Sequence, residues 1–226
     1  MDVKLICHTP NCQQVVATAA RLCYSADDID TILTKMGDKR GKKLILKLID
    51  LGHQSPFEHI SFTFGISGIS RSLSHQLVRH RIASYSQKSQ RYVSESQFDY
   101  ITPPSIKKDE KTKKRYDQLM ENIAKCYEEL SEIAPKEDAR YVLPNSCETK
   151  IVATFNARSL FNFFQHRMCT RAQWEIRLLS EKMYDIVNEI SPEIFSYFGA
   201  SCDTLGYCPE GTMCCGKAQT LEQRER

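Results

Sequence analysis

Apolar residues recur along this chain at two different periods, and the segments that carry them follow one another without a long linker. "HISFTFGIS" alternates apolar and polar residues and is rich in aromatic and β-branched side chains, the pattern of a strand with one buried face. "CQQVVATAARLCY", "GKKLILKLIDLG", "YDQLMENIAKCYEELSEI" and "AQWEIRLLSEKMYDIVNEI" instead space their apolar residues three and four apart, as an amphipathic helix requires. Neither period runs throughout, so all-helical and all-strand architectures are excluded and an α+β chain is expected. "DVKLIC" reads as an opening strand, and "TKIVATFNA" as a strand that runs into the helix "RSLFNFFQHRMC".

Further elements follow from local signals. "SRSLSHQLVRHR" is expected to be helical through Arg81, with Leu73 and Leu77 on one side. Gly52 caps the end of "GKKLILKLIDLG", and Pro135 stands near the start of the short helix "APKEDARYVLP". Residues from Ile82 to about Pro104 read as irregular, and "SIKKDEKTKKR" (Ser105–Arg115) as a solvated linker or the start of a helix. Without repeats or a clear linker, residues 1–226 are expected to form one domain with a cysteine-rich tail from about 200 to 226.

Bulk properties narrow the partners. The formal charge of +3 is small for a protein that grips a long nucleic acid, so none is expected. No apolar run approaches the roughly 18 residues of a membrane span and the N-terminus has no leader-like core, so a cytoplasmic, membrane-free protein is expected. Ten cysteines in such a protein are expected to be reduced thiols. Four of them crowd the tail, at Cys202, Cys208, Cys214 and Cys215, with spacings unlike the paired CxxC of zinc sites. His53, His59, His75 and His80 likewise match no ligand pattern, so no metal is expected. Dinucleotide GxGxxG, P-loop and GxSxG motifs are lacking.

The unusual stretch is "VRHRIASYSQKSQRY", Val78–Tyr92, which holds three arginines, a histidine, a lysine and three serines but no acid. A solvated helix normally mixes charge signs. Basic residues at a helix C-terminus complement its dipole by a few tenths of a kcal/mol each, which accounts for one or two of these and not for the rest. Continued as a helix, Arg79, His80 and Arg81 fan over about 200° and reach different groups, while Arg71, His75 and Arg79 share one face. Ser84, Ser86, Ser89 and Arg91 then add hydroxyls and a forked guanidinium, the donors that a phosphate monoester or diphosphate needs. A second cluster is "FNARSLFNFFQHRMCTR". On a helix Asn162 lies about 40° from Arg158 and Arg167 about 180°, so an amide and one arginine face one ligand and the second arginine another. Asn156 stands where a helix cap is expected.

These residues resemble a known family. "RHRIASYSQKS" carries the RHR motif of the flavin-dependent thymidylate synthases, and "HQSPFEHISFTF", "ARYVLP", "NARSLFNFFQHR" and "AQWEI" are similar to family segments in the family's order. The resemblance implies an α+β fold of mainly antiparallel sheet packed with long helices, and a homotetramer with active sites between subunits. It implies reductive methylation of dUMP to dTMP, with methylenetetrahydrofolate as carbon donor, FAD as cofactor and NADPH as reductant. Hydride would come from flavin, with no cysteine nucleophile. By motif, His53, Ser55, Arg79, His80, Arg81, Gln87, Asn156, Arg158 and Asn162 would contact FAD, with His53 also near the folate. Gln76, Leu77, Val78, Arg79, Gln87, Lys88, Ser89, Gln90, Arg91 and Arg140 would line the dUMP site, Ser89 and Arg91 at its phosphate. Arg167 would act in catalysis beside uracil N3 and O2. Ser55 replaces a frequent threonine and Gln87 an occasional glutamate; the cysteine tail lies outside the matched blocks. The competing reading is a nucleotide- or nucleic-acid-binding protein that uses residues 78–92 without methyl transfer.

Overall fold

The computed structural model of the chain describes residues 1–224. It begins with β1 (Asp2–His8), α1 (Cys12–Leu22), α2 (Ile29–Lys35), α3 (Asp38–Asp50), β2 (Ser61–Ser70), α4 (Arg71–Leu77) and β3 (Ala83–Gln87). There follow α5 (Pro104–Lys107), α6 (Glu110–Ile133), α7 (Lys136–Ala139), β4 (Glu148–Asn156), α8 (Ala157–Arg167), α9 (Trp174–Ile190) and three short helices, α10 (Pro192–Phe195), α11 (Ser201–Leu205) and α12 (Leu221–Arg224). The strands form one antiparallel sheet in the order β1-β2-β4-β3. The expected α+β class is therefore met. None of the described helices is long and apolar enough to cross a membrane.

Two compact units are distinguished, one of Met1–Asp2, Gly65–Arg79 and Tyr85–Val152, the other of Val3–Phe64, His80–Ser84 and Ala153–Arg226. The first builds its core from Phe98, Met120 and Cys147, against which Tyr100, Tyr116 and Ile123 of the neighbouring strand bridge and α6 pack. Here β2 carries Gly68 at φ +66°, and a Cβ at that residue would lie 3.0 Å from the Met1 nitrogen, so only glycine fits. Its N–H donates to the Glu148 carboxylate at 2.7 Å.

The second unit is filled by aromatic side chains. Phe161 of α8 stacks on Phe198 and meets Phe57 and Phe195 edge-on, with centroids 5.3 and 5.6 Å away. Leu160, Phe161, Phe163 and Phe164 are all buried, which leaves Arg158, Asn162 and His166 as the exposed stripe of α8 at four-residue spacing. Helix and site are thereby tied: burying this face fixes the direction of the polar one. Asn156 caps α8, its side-chain oxygen accepting from the Ser159 N–H at 2.8 Å.

Two sequence expectations are corrected, a third is narrowed to one of its two readings, and one helix was unforeseen. The helix expected through Arg81 ends at Leu77. In a continued helix the Leu77 carbonyl would accept from the Arg81 N–H; it accepts instead from the Tyr85 hydroxyl at 2.9 Å. The "irregular" region after Ile82 contains β3, whose half-buried residues are small or polar and so give no hydrophobic alternation. Of the two readings of "SIKKDEKTKKR", the helix start is the one met: it holds the first turns of α6, capped by Asp109, whose carboxylate accepts from the Thr112 N–H at 2.8 Å. α2, started by the Asp28 cap, was not foreseen.

Phe161→Ala should cost about 3–5 kcal/mol, because three aromatic neighbours lose their partner and the cavity can collapse only in part. Urea unfolding of the two proteins measures this. A loss below about 1 kcal/mol would mean that the stack is not the core of its unit.

Candidate active site

The residues singled out from the sequence fall into two groups, one in each unit. In the second unit the central feature is His80. α4 has ended by Leu77, so His80 leaves the helix and its ring turns edge-on to Phe163, 4.9 Å between centroids. The Arg167 Nε–H donates to His80 Nε2 at 3.0 Å. An arginine only donates, so Nε2 must be the bare nitrogen and Nδ1 carries the hydrogen. The Asn162 side chain also hydrogen-bonds the ring. Helix spacing alone had sent Asn162 and Arg167 to different ligands; the imidazole instead bridges them.

Electrostatics fix the state of that ring. Burial, then the neighbouring Arg167 and His166, push its pKa from the ordinary 6.5 down to about 4. His80 is therefore a neutral acceptor across the physiological range, and Arg167 keeps its charge although burial lowers its pKa. With Nε committed to His80, the two terminal nitrogens of Arg167 remain for other partners.

The rest of this group is solvent-facing. Arg158 is ion-paired with Glu58, a residue not singled out beforehand. His53 and Ser55 are exposed, the first just before and the second at the start of the turn Ser55–His59 that precedes β2. Arg81 is exposed, as is Arg79 in the other unit, and neither makes an ion pair among the described residues.

In the first unit the loop after β3 carries the second group. The Ser89 hydroxyl accepts from the Arg91 N–H at 3.2 Å. Arg91 donates through two nitrogens to one oxygen of Glu137, both at 2.9 Å, and Arg140 Nε donates to the Glu137 backbone carbonyl at 3.1 Å. Ser89, Arg91 and Arg140 are thus brought together, around an acid that the acid-free stretch did not announce. Lys88 turns inward to the buried Glu95 at 2.9 Å. The Gln87 amide donates to Ser74 at 2.9 Å and Thr149 at 3.2 Å, and Gln90 lies 3.5 Å from the Cys147 sulfur. Leu77 is a core residue, Val78 is partly exposed, and the Gln76 amide lies 3.5 Å from the Ser72 carbonyl. Lys88, Leu77 and Gln90 each have partners within this unit. Glu58, Glu95 and Glu137 were missed because their partners lie far along the chain; only Glu95, seven residues from Lys88, is near enough to have been suspected.

Comparison with known proteins defines the class. The family profile of the thymidylate synthase complementing protein matches residues 4–193. A flavin-dependent thymidylate synthase of Clostridium tetani is 49% identical over 240 residues, covering 99% of this chain and 96% of its own length. One from Geobacter sulfurreducens is 49% identical over 226 residues, covering 99% and 97%, and one from Nitratidesulfovibrio vulgaris is 43% identical, covering 95% and 94%. The chain belongs to this family and is an enzyme.

NMR titration of the His80 ring should give a midpoint near pH 4, and Arg167→Leu should move it upward. The folded pKa is depressed. The stability linked to this group is therefore complete above about pH 6.5 and is lost as the pH falls toward 4. A midpoint at the ordinary value would refute the buried, neutral ring.

Proposed function

We propose that this enzyme makes dTMP by reductive methylation of dUMP, with methylenetetrahydrofolate as one-carbon donor and FAD reduced by NADPH. The family and the names of its relatives support a flavin and thymidylate synthesis. The observation that carries the site assignment is the junction of the RHR histidine with Arg167.

The donor set suits a flavin dinucleotide, whose diphosphate needs cations and hydrogen-bond donors. Arg79 and Arg81 offer guanidinium groups without competing acids, and Arg158 and Asn162 add an exposed polar stripe. Asn156 would use what its capping bond leaves; His53 and Ser55 would close the same site. Bound there, the flavin supplies hydride to the activated pyrimidine, so no cysteine nucleophile is required.

The protein's part is alignment and charge. Ser89, Arg91 and Arg140 hold the dUMP phosphate, for which Arg91 exchanges Glu137 for the ligand. Gln76 and Arg79 contact the nucleotide from the end of α4. Arg167 places its terminal nitrogens at uracil N3 and O2, where a fixed cation favours the ionised ring and stabilises negative charge as it develops. His80, neutral and unable to compete for that charge, holds the guanidinium in place by accepting its Nε–H. A homotetramer with sites between subunits, in the cytoplasm, completes the reading, with no nucleic-acid or membrane partner.

The purified protein should be yellow, lose its visible absorbance on addition of NADPH, and form dTMP without a separate reductase. Arg167→Ala should keep the flavin spectrum and lose at least about 100-fold in turnover, the usual cost of removing a charge-stabilising donor. Near-normal turnover would remove Arg167 from catalysis. Tight, steeply salt-dependent polynucleotide binding without flavin would favour the competing reading.

A further inference from the structure

None of the ten cysteines has a part in this chemistry, and four of them converge. A cavity of about 240 Å³ in the second unit is lined by Cys169, Cys202, Cys208 and Cys215, together with Arg167 and Lys217. The tail is folded around it: the Cys208 N–H donates to the Gln219 carbonyl at 2.8 Å, and Cys208 bridges Thr220 in a parallel pair. This closes the segment from Cys208 to Thr220 into a loop, with Gly211 and Gly216 at positive φ inside it. Within the loop the Cys208 and Cys214 thiols are hydrogen-bonded to one another. Each also receives a backbone N–H two residues on, Cys208 from Glu210 and Cys214 from Gly216 at 3.3 Å. The Glu210 N–H favours a thiolate at Cys208, but burial and the hydrogen bond with Cys214 outweigh it and raise the Cys208 pKa. No group of three His, Cys, Asp or Glu among the described residues is placed to hold a metal ion, so the pair reads as a dithiol.

We propose that Cys208 and Cys214 are a redox-active dithiol that low-molecular-weight disulfides oxidise, and that its state is felt at Arg167 through the cavity that Cys208 and Arg167 both line. The half-exposed Cys214 thiolate attacks one sulfur of the disulfide RSSR, forming Cys214–S–SR and releasing RS⁻. The buried Cys208 thiol then gives up its proton and attacks the Cys214 sulfur, forming the Cys208–Cys214 bond and releasing the second RS⁻. The two thiol protons go to these thiolates, so the dithiol is oxidised by two electrons and RSSR is reduced to two RSH. Cys215 is exposed, and hydrogen bonds from Thr170 and the Lys217 N–H lower its pKa, so it also reacts. It has no hydrogen-bonded thiol partner among the described residues, so its product stops at a reversible mixed disulfide. Closing the 208–214 bond pulls Cys214 off the Ala218 carbonyl, now 3.2 Å away, and reshapes the turn that holds Lys217 on Asp203 in the cavity wall.

The chemical half is independent of the proposed activity; the coupling to Arg167 rests on it. The full-length enzyme is first assayed reduced, so that failure of dTMP synthesis is seen separately. It is then incubated with oxidised glutathione and mapped by mass spectrometry. The expected product is a Cys208–Cys214 linkage, with or without an adduct on Cys215, and turnover lowered at least threefold until dithiothreitol restores it. Cys214→Ser should fold, form no such linkage and keep its turnover under oxidation. An adduct on Cys215 with Cys208 and Cys214 still free overturns the proposal. So does one equivalent of zinc in the purified protein that Cys208→Ser loses, since that makes the cluster a metal site. A linkage that leaves turnover unchanged overturns the coupling to Arg167.

Discussion

The hydrogen bond from the Tyr85 hydroxyl to the Leu77 carbonyl decides what the arginine-rich segment becomes. What matters is where that carbonyl's bond goes. Given to a backbone N–H four residues on, it would continue α4 and lock Arg79, His80 and Arg81 onto a helical cylinder. Given to Tyr85, it ends the helix, and the chain turns into β3 within a few residues. Burial of the phenol pushes its pKa well up, so it stays a protonated donor at every physiological pH. The RHR residues owe their freedom from helical geometry to this one cap.

His80 uses that freedom to serve Arg167. The pairing of a neutral imidazole with a guanidinium is modest in energy but strict in direction, because only one ring nitrogen can accept. Desolvation keeps the ring uncharged; a protonated His80 would repel Arg167 instead of orienting it. The apolar side of α8 supplies the desolvation, through Phe163 at the ring edge. Packing of the second unit's core and orientation of Arg167 are thus two consequences of one helix face.

Much of the scaffold was legible because its signal is local. α1, α3, α6, α8 and α9 bury continuous stripes, and β2 and β4 alternate, so hydrophobic period identified them. β3 was illegible because "ASYSQ" has no large aliphatic face, and the end of α4 because its cap comes from a side chain eight residues downstream. The start of α6 was written in Asp109 and Thr112, and the lysine-heavy segment around them read either as solvated linker or as the start of a helix. In the site, residue types were legible and partnerships were not. His80 meets Arg167 across 87 positions, Glu58 meets Arg158 across 100, and Glu137 meets Arg91 across 46. Periodicity carries no information at such separations; only the folded chain sets those distances.

The acid-free stretch from Val78 to Tyr92 is not left without counter-ions, since Glu95 and Glu137 come to it from outside. The two acids differ in kind. Glu95 is buried and belongs to the framework, whereas Glu137 and Arg91 are each about half exposed, 49% and 52%, in a pair that water can open at little cost. An anion arriving at Arg91 therefore trades places with a tethered carboxylate instead of filling an empty charge. Such an exchange keeps the arginine's own charge matched before and after, and the carboxylate stands ready to take the arginine back when the anion departs.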